Sequence, residues 1–509
     1  MRHGPDGPPP PPPDWVGTGR SLAAVERRTK IVATVGPASE DIVTLRAMIA
    51  AGMDMARLSL AHGPVAETVE RIGRVRQAAD DMGRTVGVLV DLPGPKVRAA
   101  SFPEDGAHLA EGDTIELVPA VDGQSMSVAW RIAVDDPDLL DHVQAGDRVA
   151  LGDGGIQLSV VTVGGGRVVA SVVSGGLVRG RPGVSFPAGR PAPATPTAED
   201  LRLLEVVCRV GVDAVAVSFV RSAADVERVR DAVGPDGPMV VAKIETQEAV
   251  DAINDVISAS DGVMVARGDL GVRCDLEDVP HYQKRIIRTG VSYARPVITA
   301  TQMLESMISA PTPTRAEVSD VANAVFDGTS ALMLSGETAI GHDPVAVVRA
   351  MAKIATRAER EFDYQAWGRN LGVQQLAGIK GGPALDRITA SVSAAAWRAA
   401  LDSDAAAIIA CTNSGATARA ISRFRPRVPI LAATPSLRTA RQLSVAWGIT
   451  PVVTARQGTT DDIVWFAVKA AVDLGMVKTD DVVVVLVGSP QDPNPVTDVL
   501  RLVRIRPQW

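Results

Sequence analysis

The sequence predicts an α/β fold. Its core is a (β/α)8 TIM barrel, with a small β-barrel lid domain inserted and an open α/β domain at the carboxyl end. Three observations carry this. Short apolar runs ending in polar residues alternate with amphipathic segments over residues 26–95 and 188–364, the rhythm of parallel strands joined by helices. Residues 96–187 break that rhythm with short Val- and Gly-rich segments of alternating polarity. Beyond residues 365–383, apolar runs within 384–509 resume it.

Length and composition permit such a division. The 509 residues accommodate several domains. The 52 Lys and Arg against 59 Asp and Glu leave a net charge of -7. That excludes a general attraction to nucleic acid or to an anionic membrane. Cys208, Cys274 and Cys411 lie far apart and match no zinc spacing, so core thiols in a reducing compartment are expected. No apolar run reaches membrane-spanning length and no signal peptide is recognisable. A cytoplasmic location is the expectation.

In chain order, residues 1–25 hold HGPDGPPPPPPDW, a Pro-rich tail that cannot pack. Ile31 to Val35 reads as a strand ended by Gly36-Pro37. A helix from about residue 40 to residue 51 follows, apolar at Ile42, Leu45, Met48 and Ile49. Met53 to Leu58 is the next strand, with Arg57 near its end, and Val86 to Val90 the third. The GD and DG pairs of the insertion, such as Gly112-Asp113, Gly146-Asp147 and Asp153-Gly154, read as turns. After Thr197 the strands end at Ser218-Phe219, in VVAKIE, in VMVARGDLG, at Thr299 to Gln302 and at Ser335-Gly336-Glu337. With the three before the insertion, about eight βα units fit, as a closed barrel needs. Residues 365–383 read as a polar linker. Ala406 to Cys411, Ile430 to Thr434 and Val482 to Val487 are the strands of the last domain.

The chemistry centres on SASDGVMVARGDLGVRC, Ser258 to Cys274. Arg267-Gly268-Asp269 stands at the carboxyl end of a buried strand, where barrel chemistry sits. Gly268 lets backbone N–H groups approach an anion, and Asp269 could bind a metal. A strand–loop–helix joint with Asp269 as N-cap explains the same residues. VVAKIE adds a second pointer. Lys243 and Glu245 are two apart and share one side of a strand. Charges there are costly unless paired or on a ligand.

These blocks together resemble the pyruvate kinase family. TKIVATVGPAS, GMDMARL, GPKVR, AKIE, MVARGDLG, TATQMLESM, PTRAEVSDVANAV and MLSGETA match its motifs in order over both barrel segments. The resemblance implies phosphoryl transfer from phosphoenolpyruvate to ADP, with Mg²⁺ or Mn²⁺ as cofactor. It assigns Glu245 and Asp269 to the metal, and Arg57 and Lys243 to the transferring phosphoryl group. The backbone from Ala266 through Arg267 and Gly268 to Asp269, with the Thr301 hydroxyl, would hold the substrate carboxylate. Ser335 and Glu337 would belong to the network that protonates the enolate. His62 and Arg98 would bind nucleotide. A homotetramer is implied by the PTRAEVSDVANAV segment.

The sequence departs from the family at the monovalent-cation site. Ser59-Leu60-Ala61-His62 and Asp91-Leu92-Pro93-Gly94 replace stretches that usually supply potassium ligands. Lys96 stands where potassium-dependent members carry Glu, so its ammonium is expected to substitute for K⁺. Arg273 also stands where many members have Glu. In CTNSGATAR, Thr412, Asn413, Ser414, Gly415 and Thr417 resemble an allosteric loop for a sugar-phosphate or nucleotide effector; helix capping explains the same residues. Residues 488–495 lack the basic and Trp residues that hold fructose bisphosphate in other members. Two other readings remain open: a pyruvate-enolate carbon–carbon lyase on a related barrel, and a paralogue that senses phosphoenolpyruvate or sugar phosphate.

Overall fold

The computed structural model describes residues 27–507, apart from 62, 121–125, 137, 139–142, 153, 187–193, 377–386 and 489–495. The chain opens with β1 (Lys30–Thr34), β2 (Met55–Ser59) and β3 (Gly87–Asp91). The inserted strands follow: β4 (Ala107–Leu109), β5 (Thr114–Pro119), β6 (Arg131–Val134), β7 (Arg148–Leu151), β8 (Ile156–Gly164), β9 (Arg167–Ser174), β10 (Gly176–Val178) and β11 (Val184–Ser185). The α/β rhythm returns with β12 (Ala214–Val217), β13 (Met239–Ile244), β14 (Gly262–Ala266), β15 (Val297–Ala300) and β16 (Ala331–Leu334).

The barrel is closed in the order β1-β16-β15-β14-β13-β12-β3-β2. Every neighbouring pair is parallel, with Lys30 opposite Ala331 and Val32 opposite Met55. Because side chains alternate along a strand, each strand serves two cores. Val32, Met55, Leu89, Met264 and Ile298 fill the interior. Ile31, Val88, Val240 and Val263 face the helices. Methionine and alanine fill the interior where aromatic residues are scarce.

The helix Ala198–Val210 shows how local sequence sets the frame. Thr197 and Asp200 form a reciprocal capping box at its start, and Gly211 ends it in the left-handed region at φ 84°. Asp200 also accepts a hydrogen bond from the Gly94 amide at 3.0 Å, which pins the chain just before it leaves for the insertion.

The insertion folds around its own core, including Leu117, Ile132, Val149 and Leu158. Its sheet has the order β11-β7-β8-β9-β5-β6, beside a β10-β4 ribbon. A Cβ added at Gly154 would lie 2.9 Å from Val272 Cγ2, so this lid rests on the segment after β14.

The last domain has β17 (Ala407–Cys411), β18 (Ile430–Thr434), β19 (Ile449–Val453), β20 (Val482–Val487) and β21 (Val499–Arg504). Their order is β19-β18-β17-β20-β21, an open sheet with only β21 antiparallel. One expectation is corrected here. Much of the stretch read as a polar linker is helix, Tyr364–Leu376. Trp367 donates its indole N–H to the Arg423 carbonyl at 2.8 Å, and Leu371 joins the last domain's core. Gly368, which looked like linker glycine, is where Trp397 lies too close for any Cβ, at 2.3 Å. The remainder of that stretch lies outside the described residues.

Burial pushes the Cys411 thiol up to about 12 and the Cys274 thiol up to about 11, so both stay protonated at neutral pH. Among the described residues, no helix is long and apolar enough to cross a membrane.

Candidate active site

The carboxyl ends of the barrel strands bring together a chain of alternating charges. Arg57, on β2, donates to Asp91 Oδ2 at the end of β3 through Nε at 2.9 Å and Nη2 at 2.6 Å. Its Nη1 reaches Thr34 Oγ1 at 3.2 Å. Lys243 Nζ lies 3.2 Å from Asp91 Oδ1 and 2.9 Å from Glu245 Oε1, and donates to Ser218 Oγ at 2.7 Å. Glu245 Oε2 accepts from the Phe219 amide at 2.7 Å. Lys96 Nζ lies 2.9 Å from Asp269 Oδ1.

The electrostatics follow from this alternation. Burial works against the Lys243 ammonium, yet Asp91 and then Glu245 raise its pKa above the usual lysine range. Burial also works against Asp91, but Lys243 and Arg57 together hold its carboxyl below the usual range. Asp269 is depressed in the same way, with Lys96 and then Lys243 outweighing burial. Glu245 is fully buried, and burial pushes its carboxyl up although Lys243 pulls it down. Its Oε1 is buried without a hydrogen bond of good geometry. Among the described residues the Lys243 ammonium, at 2.9 Å, is the one close cation beside that oxygen.

The backbone part of the site is also assembled. Arg267–Arg273 is a short helix directly after β14. The Gly268 amide donates to Thr301 Oγ1 at 2.8 Å, and that hydroxyl donates to the Ala300 carbonyl at 2.6 Å. Thr301 sits at φ 67°, a region uncommon for a β-branched residue and most often kept at functional sites. Glu337 accepts from the Leu304 amide at 3.1 Å and the Ser335 amide at 2.6 Å, tying the loops after β15 and β16 together. The Ser335 hydroxyl is buried and makes no hydrogen bond.

Several expected residues sit elsewhere or do something else. The Arg267 side chain turns away from the mouth. It meets Asp320 at 2.7 Å and the Thr301 carbonyl at 2.7 Å, so only its backbone faces the cluster. Asp269 stands in the first turn of its helix and its side chain caps nothing there. Arg273 stacks its guanidinium over the Phe219 ring at 4.7 Å. Arg98 donates to the Arg181 carbonyl at 3.3 Å, and burial lowers its pKa despite Asp269. His62 and Asp153 lie outside the described residues. In the last domain, Thr412 Oγ1 accepts from the Gly415 amide at 2.9 Å, Thr417 pairs with Thr497 at 2.6 Å, and Asn413 and Ser414 are exposed.

Sequence reasoning missed the roles of Asp91, Ser218 and Thr34. Asp91 was read only as part of an altered cation stretch. Its signal was a carboxylate ending a buried strand beside Arg57, as Ser218 ends β12.

Together, the fold and this charged mouth define a class: a (β/α)8 enzyme whose site lies under an inserted β lid. The chain belongs to the pyruvate kinase family. Residues 26–348 match the family profile described as "Pyruvate kinase, barrel domain", and residues 390–503 match "Pyruvate kinase, alpha/beta domain". The pyruvate kinase of Geobacillus stearothermophilus is 38% identical over 94% of this chain and 80% of its own length. That of Clostridium acetobutylicum is 37% identical over 94% and 99%. That of Mycobacterium tuberculosis is 40% identical over 94% and 98%.

Proposed function

We propose that the chain transfers the phosphoryl group of phosphoenolpyruvate to ADP, giving pyruvate and ATP. The observation that carries this reading is Lys243. A fixed ammonium stands at the mouth between Asp91 and Glu245, with Arg57 on the other side of Asp91. Phosphoryl transfer needs positioning and neutralisation of spreading negative charge more than covalent chemistry. Lys243 and Arg57 supply that charge without reorganising when the substrate arrives, because Asp91 already orients both.

A divalent cation such as Mg²⁺ or Mn²⁺ fits the donor set. Glu245 Oε1 is buried with only the Lys243 ammonium close to it, at 2.9 Å and not in good hydrogen-bond geometry, and Asp269 leaves one oxygen free of Lys96. Two carboxylates plus substrate oxygens suit a hard cation. When bound there, the cation adds Lewis-acid neutralisation of the phosphoryl oxygens. The amides after Ala266 and the Thr301 hydroxyl would donate to the substrate carboxylate, the Gly268 amide leaving Thr301 Oγ1 and the hydroxyl leaving the Ala300 carbonyl. In this reading Ser335, whose hydroxyl is buried and unbonded, relays a proton to the enolate carbon. Glu337 orients it through the Ser335 amide. The lid excludes water that would otherwise take the phosphoryl group.

The test is a lactate dehydrogenase-coupled assay with phosphoenolpyruvate, ADP and Mg²⁺. Pyruvate formation that needs all three is expected. Binding of phosphoenolpyruvate without turnover would sink the reading. We further propose a homotetramer, supported by the segment Arg315–Phe326, a helix opened by a Thr314 capping box and exposed at Val318 and Phe326. Light scattering should give four chains at micromolar concentration; a monomer alone would refute it. The loop from Thr412 to Thr417 is the proposed effector site, with exposed Asn413 and Ser414 as its entrance.

A further inference from the structure

Two carboxylates flank the Lys243 ammonium, yet neither fixes its direction. Nζ lies 3.2 Å from Asp91 Oδ1 and 2.9 Å from Glu245 Oε1. Among the described residues, its one hydrogen bond of good geometry goes instead to a neutral group, Ser218 Oγ, at 2.7 Å. Charge draws the ammonium into the mouth, but attraction between charges depends on distance and not on angle. A hydrogen bond weakens steeply as it bends. The hydroxyl is therefore what aims the N–H bonds.

That hydroxyl has no freedom to turn. An ammonium only donates and a carbonyl only accepts. Ser218 Oγ accepts from Lys243 and gives its own proton to the Leu92 carbonyl, at 2.8 Å. Asp91 Oδ1 is the more distant alternative, at 3.4 Å. The Ser218 backbone is held as firmly. The residue is 2% exposed, and its carbonyl accepts from Thr195 Oγ1 at 2.8 Å. Gly94 approaches so closely that a Cβ there would lie 2.7 Å from Ser218 Cβ. The next residue completes the arrangement. Phe219 sits at φ 56°, uncommon for a bulky residue, and its amide donates to Glu245 Oε2 at 2.7 Å. Val217 pairs with Ala242 across β12 and β13. Ser218-Phe219, just beyond that pair, thus meets both charged residues of β13: a hydroxyl for the lysine and an amide for the glutamate.

We propose that Ser218 is the positioning residue for Lys243, a role that rests on the phosphoryl-transfer reading above. Nζ carries three protons. Ser218 takes one and Asp91 attracts a second. The third faces Glu245 Oε1, at 2.9 Å and out of good hydrogen-bond geometry. Once that oxygen serves a divalent cation, the third proton is left for the phosphoryl oxygens. Without Ser218 Oγ, the ammonium would close on the buried Glu245 carboxylate. It would then compete with the cation there and turn its free proton away from the substrate. Ser218 thus governs both metal affinity and rate, and it does so through Lys243.

The test uses the full chain with Ser218→Ala and Ser218→Cys. The thiol fills the place of the hydroxyl but is a weak acceptor, so it separates packing from hydrogen bonding. Both variants should lower kcat about ten-fold or more, with KM for phosphoenolpyruvate within about two-fold of the wild type. Mn²⁺ affinity, read by electron paramagnetic resonance without substrates, should weaken several-fold in both. In a Lys243→Met background, Ser218→Ala should leave Mn²⁺ affinity within about two-fold, because the competitor is gone. Wild-type kcat in Ser218→Cys, a change confined to KM, or an equal loss of Mn²⁺ affinity with and without Lys243 would each overturn the proposal. Absence of turnover in the wild type is a different failure. It ends the phosphoryl-transfer reading, while the Mn²⁺ comparison still decides whether Ser218 acts on Lys243.

Discussion

Lys243→Met should lower kcat by a factor of about one hundred or more while Mn²⁺ binding is kept or tightened. The two effects have one cause. The Lys243 ammonium lies 2.9 Å from Glu245 Oε1, the oxygen proposed for the metal. Removing it takes away the charge that stabilises the transferring phosphoryl group and also the competitor for that oxygen. In the metal-free protein the variant leaves Glu245 buried without a cation, which costs about 3–5 kcal/mol. Added Mn²⁺ should restore most of the lost Tm. Asp91 is less affected, since Arg57 still holds it at 2.6 Å. Electron paramagnetic resonance of Mn²⁺ and single-turnover rates separate binding from chemistry. A variant that loses metal binding and kcat together would show that Lys243 only holds the site in shape. One whose rate stays within a few-fold would remove it from the reaction.

The second large effect is on the monovalent cation. Initial rates in K⁺-free tetramethylammonium buffer should match those in KCl at equal ionic strength, within about two-fold. The substrate phosphates need positive charge at the mouth, and Ser59, Ala61 and Leu92 supply few oxygen ligands for a bound cation. Lys96 directs its ammonium into the mouth, onto Asp269 at 2.9 Å. Gly183 makes room for its stem, since a Cβ there would lie 2.5 Å from Lys96 Cε. Lys96→Glu should lower the K⁺-free rate about ten-fold or more at saturating Mg²⁺, with the loss in kcat and not in metal affinity, because the change frees Asp269 of its ammonium. A strong rise of the wild-type rate with K⁺ would end this account.

Most of the architecture was legible in the sequence because it is written in two short periods. Buried parallel strands read as apolar runs such as VVVVLV at Val482 to Val487, which is the observed β20. The lid announced itself through alternation, as in the segment Arg167–Ser174. The helix Tyr364–Leu376 was missed because its burial comes from two side chains, Trp367 and Leu371, amid glycine and glutamine. Site residues on one strand, Lys243 and Glu245, were visible from their spacing. Asp91 and Ser218 were not, because their meeting with Lys243 spans strands far apart in sequence. The Arg267 side chain could not be placed either. Its partner Asp320 sits on a helix 53 residues later.

Closure of the barrel between β1 and β16 also sets the order in which this protein can be made. β1 ends at Thr34, and the strand that covers its far edge begins at Ala331. A ribosome adding about 5–20 residues per second needs on the order of 15–60 s to bridge that gap. Through that interval the nascent barrel has an open edge at β1 and exposes the apolar faces of Ile31 and Val32. The inserted lid, with its own core, can be finished meanwhile. Contacts this remote in sequence make folding slow, so barrel closure waits until the last barrel strand has emerged.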